Sequence, residues 1–526
     1  MANVGVTTAM PSAQALGGPT PITSFSLFPE LPMDVKLSIF DFLKKGLDGE
    51  GRTARSRTLL NYASVSFDWY YYFNKHIYRR VNLTTASLYD FARYVGDRTS
   101  FIEEISFSIE LDTYTCRACT QLNPKYPDAN FNDAIVAKAI TDLFAILSKW
   151  PRDQIAENGV ELELGIYCPS DSEHTFPNDL HLGREWGACR DPPALEHCRK
   201  FNHSPSRLAD LRPEALRNLH TIMRPDLERG LATIEFVNKF TVRRQTRRSL
   251  SSTALKAILL HLPGIETITY EPWREFSPRS LEALALGHFN YGQDIGYFNV
   301  LCDLPRTLNT LTLFEDFSGE TDKVLAWGIR RQPNAFVSAA LASVSRRFEE
   351  LHASFVVDAW KFFDACKDHW VWTNLRELSL TDSLLDDDER MRIYVVGLLM
   401  RAGMVAKQMP KLTRMEIWNG REGVAGVFRY RIEDGRALVE WRGTWWPMLD
   451  LVFQLWREVA SKHTNLPPFF NTMQLNSTEI LSHADAIDKL RVNEKVIHPT
   501  SLAQIKMEAQ RSLRSDSEGR FTNLPG

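Results

Sequence analysis

The residue types that nucleophilic catalysis uses lie side by side at Ser170-Asp171-Ser172-Glu173-His174. Such catalysis needs a hydroxyl, a base and an orienting carboxylate that converge on one substrate atom, and a fold usually brings them together from distant segments. Neighbours in one loop cannot all converge in this way, whereas Ser and Asp side chains commonly bond nearby backbone N–H groups in turns. We interpret the segment as a capped turn and expect no catalytic residues, no enzymatic activity and no cofactor.

Cys116 and Cys119 have the spacing of half a zinc site, and Cys189, His197 and Cys198 could supply further ligands. A structural zinc ion needs four ligands, usually as two such pairs, and only one pair is present. A redox role would need a thioredoxin-like context that the surrounding sequence lacks. Free thiols are the favoured interpretation, and zinc binding by this pair stays open.

Four arginines, Arg243, Arg244, Arg247 and Arg248, follow a predicted strand in TVRRQTRRSL. Arginine clusters bind phosphate groups by bidentate hydrogen bonds, so a phosphopeptide or RNA ligand is conceivable. The net charge of −3, from 62 basic and 65 acidic residues, gives no basic field overall. A solvated or salt-bridged rim is therefore favoured and nucleic acid is not expected, but an open sheet face at this strand would favour a partner site.

Thirteen tryptophans occur in the chain, eight of them between Trp360 and Trp456. Most are expected in the core, because a buried Trp removes a large apolar area from water. Since Trp and Arg are enriched at interface hot spots, a few could instead be exposed anchors for a partner. The candidates lie on a predicted hairpin and are Trp441, Arg442, Trp445 and Trp446.

Bulk properties limit the class of protein. A chain of 526 residues exceeds the ~250–300 residues of a single core, so more than one packed unit is expected. The first basic residue is Lys36, which is not typical of a secretory or mitochondrial leader. The longest apolar stretch, 393–406, is shorter than the ~20 residues that span a bilayer. Irregularly spaced cysteines indicate reduced thiols. We expect a protein of the cytoplasm, the nucleus or both, without a membrane partner.

Beyond residue 84, strand-like segments alternate with helical ones, and most of the strands share an L-x-x-L-x-L pattern. The strand candidates are 102–111, 160–167, 237–244, 265–272, 308–316, 348–355, 375–382 and 412–420. The later strands recur at irregular intervals of about 27 to 43 residues, which suits strand-plus-helix solenoids. The sequence predicts an irregular, leucine-rich-repeat-like α/β solenoid that ends in a β-hairpin turning at Asp434-Gly435 and in helices.

Before that solenoid, SLFPELPMDVKLSIFDFL predicts a short helix from Pro32 to about Leu43, with apolar residues on more than one side. LLNYASVSFDWYYYFNKHIYRRVNL predicts two further helices with a break near Ser66, and the stretch from Lys44 to Thr58 is interpreted as a long polar connection. The result is a three-helix unit.

The Leu-Pro start, the Ile- and Leu-containing helix and the Val-Ser-x-x-Trp segment together resemble the F-box motif. The resemblance covers about residues 27–83. It implies docking on a Skp-type adaptor of a cullin-RING (SCF) ubiquitin ligase, with no chemistry of its own. The adaptor contacts carried over from the motif are Leu31, Pro32, Val35, Leu37 and Ile39. An interaction scaffold that keeps the F-box fold outside a ligase is the alternative.

Further segments, including CPSDSEH, YEPWR, LFEDF, WNG and WRGTW, look like a fungal family of F-box proteins with a large C-terminal domain of unknown function. The resemblance implies that this domain recruits a protein target. The expected boundaries are a disordered arm at 1–24, an F-box-like domain at 27–83, a leucine-rich-repeat-like domain at 84–511 with a long loop near 168–213, and a flexible tail at 512–526.

Overall fold

The computed structural model describes residues 28–47, 52–113, 129–169, 221–227, 230–273, 291–316, 334–447 and 449–508. The expected arm and tail, Cys116 and Cys119, and residues 170–213 of the expected loop lie outside them. The chain divides into two compact units, Met1–Ile77 and Tyr78–Gly526. In the described part of the chain, no helix combines the length and the apolar character needed to cross a membrane.

The first unit, here the three-helix unit, consists of α1 (Met33–Lys45), α2 (Arg52–Ala63) and α3 (Phe67–Tyr78). Its small core is aromatic, because the Phe40 and Phe73 rings are buried and meet at 5.5 Å between centroids. The break near Ser66 is confirmed. The expected long connection from Lys44 to Thr58 is wrong, since α1 continues to Lys45 and α2 already begins at Arg52.

Within the described residues, the second unit, here the sheet unit, contains one twelve-stranded sheet in which every strand pairs with its neighbours in the sequence. The strands are β1 (Arg80–Thr84), β2 (Glu104–Glu110), β3 (Val160–Tyr167), β4 (Val237–Val242), β5 (Thr267–Tyr270), β6 (Thr310–Phe314), β7 (Glu350–Ser354), β8 (Glu377–Thr381), β9 (Arg414–Arg421), β10 (Val424–Glu433), β11 (Arg436–Gly443) and β12 (Phe469–Gln474). All neighbouring pairs are parallel except β9 with β10 and β10 with β11. A mixed α/β fold with a mostly parallel sheet, consistent with a leucine-rich-repeat-like architecture, is therefore confirmed.

Helices follow most of the parallel strands. They are α4 (Leu88–Tyr94), α5 (Ala129–Leu147), α6 (Ser252–Leu260), α7 (Tyr291–Cys302), α8 (Ala335–Val344), α9 (Ala359–Ala365), α10 (Arg392–Ala406), α11 (Asp450–His463) and α12 (His483–Leu490), and a last helix, α13, spans residues 499–508. Helices α4 to α11 share one core with alternate strand residues, such as Leu311, Leu351 and Leu378 in one register row. Period-two alternation thus gives the sheet an apolar helix face and an opposite polar face.

The hairpin of β10 and β11 turns at Asp434-Gly435, as predicted. Both residues have positive φ, 50° and 73°, which is the backbone of a two-residue hairpin turn. Strand β12 and helix α12 were not predicted. Six of the eight tryptophans from Trp360 to Trp456 are buried, so their expected core role is confirmed for most of them.

Two buried carboxyl groups lie where β7 and β8 end. Asp382 accepts hydrogen bonds from the backbone N–H groups of Trp360 (2.6 Å) and Leu384 (2.8 Å), and Asp358 accepts one from Ser383 (3.2 Å). Burial and the nearby Asp358 carboxylate raise the pKa of Asp382 to about 7. The hydrogen bonds of Asp358 and Asp382 hold the loops that follow β7 and β8. Because the pKa of Asp382 is about 7, its carboxyl group is protonated below that pH.

This pair predicts a pH dependence of stability. Because the folded-state pKa of Asp382 is raised, the folded protein holds a proton that the unfolded chain releases near pH 4, and the free energy of unfolding falls as pH rises from about 4 to about 7. In denaturant unfolding at a series of pH values, Asp382→Asn should not show this decrease in the free energy of unfolding, which is on the order of a few kcal/mol in the wild type. Asp153→Asn, at an exposed position, is the control. An unchanged pH profile in Asp382→Asn would contradict the assignment.

Candidate binding surfaces

The polar face of the sheet carries one continuous row of hydrophilic residues. In register order the row is Asn82, Ser106, Glu163, Thr241, Thr269, Thr312, His352, Ser379, Glu416, Arg429, Glu440 and Asn471. Solenoids commonly bind partners on such a face. Here the central part of the row is buried, because residues 475–508, here called the C-terminal strap, cross it.

The strap is fixed at its first helix by Arg429. The guanidinium donates to Glu416 and Glu440, each at 2.7 Å, and to the carbonyl oxygens of Leu490 (2.9 Å) and Arg491 (2.6 Å). Those carbonyls end α12, where a positive charge is favourable. One buried side chain therefore joins three strands to the end of the strap helix.

The strap then runs back across the earlier strands. The Asn493 backbone N–H donates to Glu416 (2.8 Å), and its side-chain amide donates to Glu377 (2.6 Å). Farther on, the backbone N–H of His498 and the hydroxyl of Ser501 donate to the buried carboxylate of Glu271 at 2.6 and 2.5 Å. Burial raises the pKa of Glu271, and these donors oppose that rise. The strap thus supplies partners to charged groups on the sheet from β10 back to β5.

Apolar side chains also hold the strap against the sheet. Ile480, Ile487 and Leu490 form a second core with Trp418 and Val427 from the polar side of β9 and β10. A methyl group on Gly420 would overlap the Ala486 methyl group, so α12 lies directly on the β9 backbone. Only glycine at this position allows that approach.

The four arginines proposed as a partner site are buried or half-buried in the folded chain, and the strap contacts two of them. Arg244 is completely buried, donates to Asp316, and forms a bidentate pair with Glu508 at 3.0 and 2.9 Å. Although burial alone would raise it, Arg244 and His483 hold the pKa of Asp316 below its usual range. Arg244 is therefore salt-bridged, which is one of the two alternatives favoured for these arginines from the sequence.

The other three arginines are also buried or half-buried. Arg247 is buried and also contacts Glu508 (3.3 Å), Arg248 is buried, and Arg243 is half-buried beside Glu163. The four arginines therefore do not form an exposed surface in the folded chain. Binding of an external partner by these residues stays a prediction that requires the end of the strap to leave the sheet.

The predicted hairpin anchors are also mostly internal. Trp441 packs against Trp445 with ring centroids 5.0 Å apart, and both rings are buried. Arg442 is buried and donates to Glu440 (3.1 Å), whereas Trp446 is exposed. Trp441, Arg442 and Trp445 are therefore not exposed anchors, because the core and the strap cover them. Their role in binding a partner stays a prediction.

The three-helix unit presents a different kind of surface. A groove of about 560 Å³ lies between α1 and α3 and is lined by apolar side chains that include Met33, Leu37, Phe67 and Tyr71. Phe67 is 79% exposed. At one end the hydroxyl of Tyr72 and the ammonium of Lys44 donate to Asp41 and lower its pKa. This unit therefore carries an open apolar groove with a charged rim.

On the other flank of α1, Val35 and Phe42 form a second apolar strip, with Phe42 76% exposed. Among the five residues carried over as adaptor contacts, Pro32, Val35 and Leu37 are exposed, while Leu31 and Ile39 are half-buried. The helix is apolar on more than one side, as predicted.

The sequence predicted the last helix of the strap, but it missed α12, the path of the strap across the sheet and one group of potential metal ligands among the described residues. The strap helix has a visible start signal, since the Ser482 hydroxyl caps it by accepting from the Asp485 N–H. The potential ligands are Glu350, His352 and Glu377, whose ligand atoms lie within 4.8 Å of one another. Their only sequence signal is two adjacent strands with acidic and His residues at alternate positions.

Removal of the Arg244 side chain should destabilise the sheet unit strongly. Arg244→Ala leaves Asp316 buried without its main cation, and we expect a loss of about 3–5 kcal/mol in the free energy of unfolding. The control, Arg79→Ala, breaks an exposed pair with Glu103 and should cost less than about 1 kcal/mol. Equal losses in denaturant unfolding would contradict the burial argument.

Close approach of α12 can be tested with a double-mutant cycle. Gly420→Ala should cost about 1–3 kcal/mol because the added methyl group pushes α12 off β9. Ala486→Gly in the same chain should recover part of that loss, less the ~1 kcal/mol of a helical glycine. Gly397→Ala, whose methyl group only touches the Trp360 ring at 3.4 Å, is the control. Purely additive effects would exclude direct contact.

Comparison with known proteins adds one finding. Residues 303–498 match a family of unknown function (DUF6546). The matched segment runs from β6 to the middle of the strap and is less than half of the chain. No curated protein matches this chain. The three-helix unit lies outside the matched segment, so its resemblance to an F-box stays a prediction, and the sheet unit contains a segment similar to a family whose function is not established.

Proposed function

We propose that the protein is a substrate-recognition subunit of an SCF-type cullin-RING ubiquitin ligase. In this proposal the three-helix unit docks on a Skp-type adaptor and the sheet unit recruits a protein target. The protein then acts by proximity: it raises the effective concentration of a target lysine near the ubiquitin-loaded enzyme and performs no chemistry itself.

The observation that carries the proposal is the apolar surface of the three-helix unit. Val35, Leu37, Phe42, Phe67 and Tyr71 are each between 39% and 79% exposed, within a unit of about fifty residues. These residues form two patches, one on each flank of α1, and exposed apolar patches with polar rims are typical of protein interfaces. The polar neighbours Asp41, Lys44 and Lys75 give the groove a charged rim, as interfaces commonly have.

The core of the unit supports it as a rigid docking element. Lys36 is buried, donates to Asp68 (2.8 Å) and to the Pro29 carbonyl (2.9 Å), and so ties α1 to α3. The aromatic rings of Phe40 and Trp69 meet at 5.0 Å between centroids in an edge-to-face arrangement. The exposed apolar residues therefore stand on a fixed framework and lose little entropy on binding.

Target recruitment is the less constrained half of the proposal. Because the strap covers the central polar face, the target would contact other surfaces of the sheet unit. Exposed apolar side chains are available on its helices, including Trp360 on α9 and Tyr394 on α10. Proximity labelling with the full chain and with residues 28–77 deleted would separate ligase components from targets, since targets should persist in the deletion.

Substitutions on the two flanks of α1 test adaptor docking. We expect Leu37→Glu, in the groove, and Val35→Glu, on the opposite flank, to reduce co-purification of a Skp-type adaptor at least about tenfold, because each puts a charge in an apolar interface. Both side chains are exposed, so thermal unfolding should change little. Tyr89→Glu, at a more exposed apolar site on α4, is the control.

The outcomes separate the functions. Wild-type protein that retains no adaptor, or adaptor retention by both variants, would overturn the proposal. Adaptor without neddylated cullin in the wild-type complex would instead identify a scaffold outside the ligase.

A further inference from the structure

We propose that Glu350, His352 and Glu377 form a binding site for a divalent transition-metal ion of the Zn²⁺ class. The three side chains come from neighbouring parallel strands, β7 and β8, on the polar face of the sheet. Glu350 and Glu377 are register partners, and His352 is two residues further along the same face. The sheet therefore presets one imidazole and two carboxylates side by side.

His352 is the observation that points to a ligand. Its side chain is fully buried, and neither Nδ1 nor Nε2 has a hydrogen-bond partner among the described residues. Its Nε2 atom lies 3.8 Å from the nearer Glu350 oxygen, beyond hydrogen-bond reach. A buried polar group without a partner is costly, and a metal ion at this position would use the nitrogen lone pair.

The carboxylates already bind a cationic group. Lys495, from the strap, places its ammonium 2.8 Å from Glu350 and 3.3 Å from Glu377. The Lys495 side chain is 43% exposed, whereas the Glu350 and Glu377 side chains are only 23% and 21% exposed. The ammonium can therefore leave to solvent while a metal ion takes its place, although Arg414 beside Glu377 on β9 limits the affinity.

The ligand types select the metal. One imidazole and two carboxylates with an open position for water suit Zn²⁺, whereas Mg²⁺ prefers oxygen ligands alone. Ligand atoms around Zn²⁺ are about 3.4 Å apart, so atoms that now lie within 4.8 Å need to close by roughly 1.5 Å or less. In this proposal the two glutamate side chains supply that movement by changing rotamer.

Zinc titration of the metal-free full chain tests the site. Wild-type protein should bind Zn²⁺ with a component that His352→Gln loses, measured as one fewer equivalent or an affinity at least about tenfold weaker by competition with a chromogenic chelator. Lys495→Met should bind more tightly than wild type, because the competing ammonium is gone. His369→Gln, at an exposed histidine, should leave binding unchanged.

Opposite signs for His352→Gln and Lys495→Met keep the test independent of folding damage, which would weaken binding in both. Zinc binding that is equal in wild type and His352→Gln, or weaker in Lys495→Met at unchanged thermal stability, would overturn the assignment. Displacement of Zn²⁺ by an equal concentration of Mg²⁺ would also overturn it, since the imidazole would then have no role.

Discussion

The buried contact of Arg429 with Glu416, Glu440 and the end of α12 is the interaction on which the covered face of the sheet depends. A buried charge is tolerated only when its partners satisfy it completely, and removal of one partner leaves an uncompensated charge. Arg429 needs both neighbouring strands and the strap carbonyls for that compensation. The sheet and its strap therefore form one packing unit, and the polar row of the strands is an internal interface.

This arrangement changes where binding can occur. Residues that would be interface anchors on an open sheet, such as Arg244 and Trp441, are used by the chain itself. Arg244 joins the end of β4 to Asp316 after β6 and to Glu508 in the last helix, so a phosphate group would have to displace two carboxylates to reach it. Asp316 and Glu508 neutralise the charge of Arg244 locally.

Local signals in the sequence were enough for most of the strands and for the helices α1 and α3. Period-two apolar patterns place β3 at Val160–Tyr167, the residues predicted, and the Asp434-Gly435 pair specifies its turn because both residues accept positive φ. The strap was not predictable in the same way. Its partners lie tens to hundreds of residues away, and Glu416 or Arg429 in an alternating strand is indistinguishable from a solvated residue until the strap covers it. The polar half of α2 was interpreted as a connection because residues 52–57 contain no large apolar residue that would mark a helix face.

The two proposals start from different features of the two units. In the sheet unit the feature is a polar group, the buried imidazole of His352, which makes no hydrogen bond among the described residues. The three-helix unit is too small to bury all its apolar side chains, since a unit of roughly fifty residues encloses only a small core. Phe40 fills that core, and Val35 and Leu37 stay exposed on either side of the same helix. We propose a protein partner for these exposed apolar side chains and a metal ion for the buried imidazole, so the ligands proposed for the two units belong to different classes.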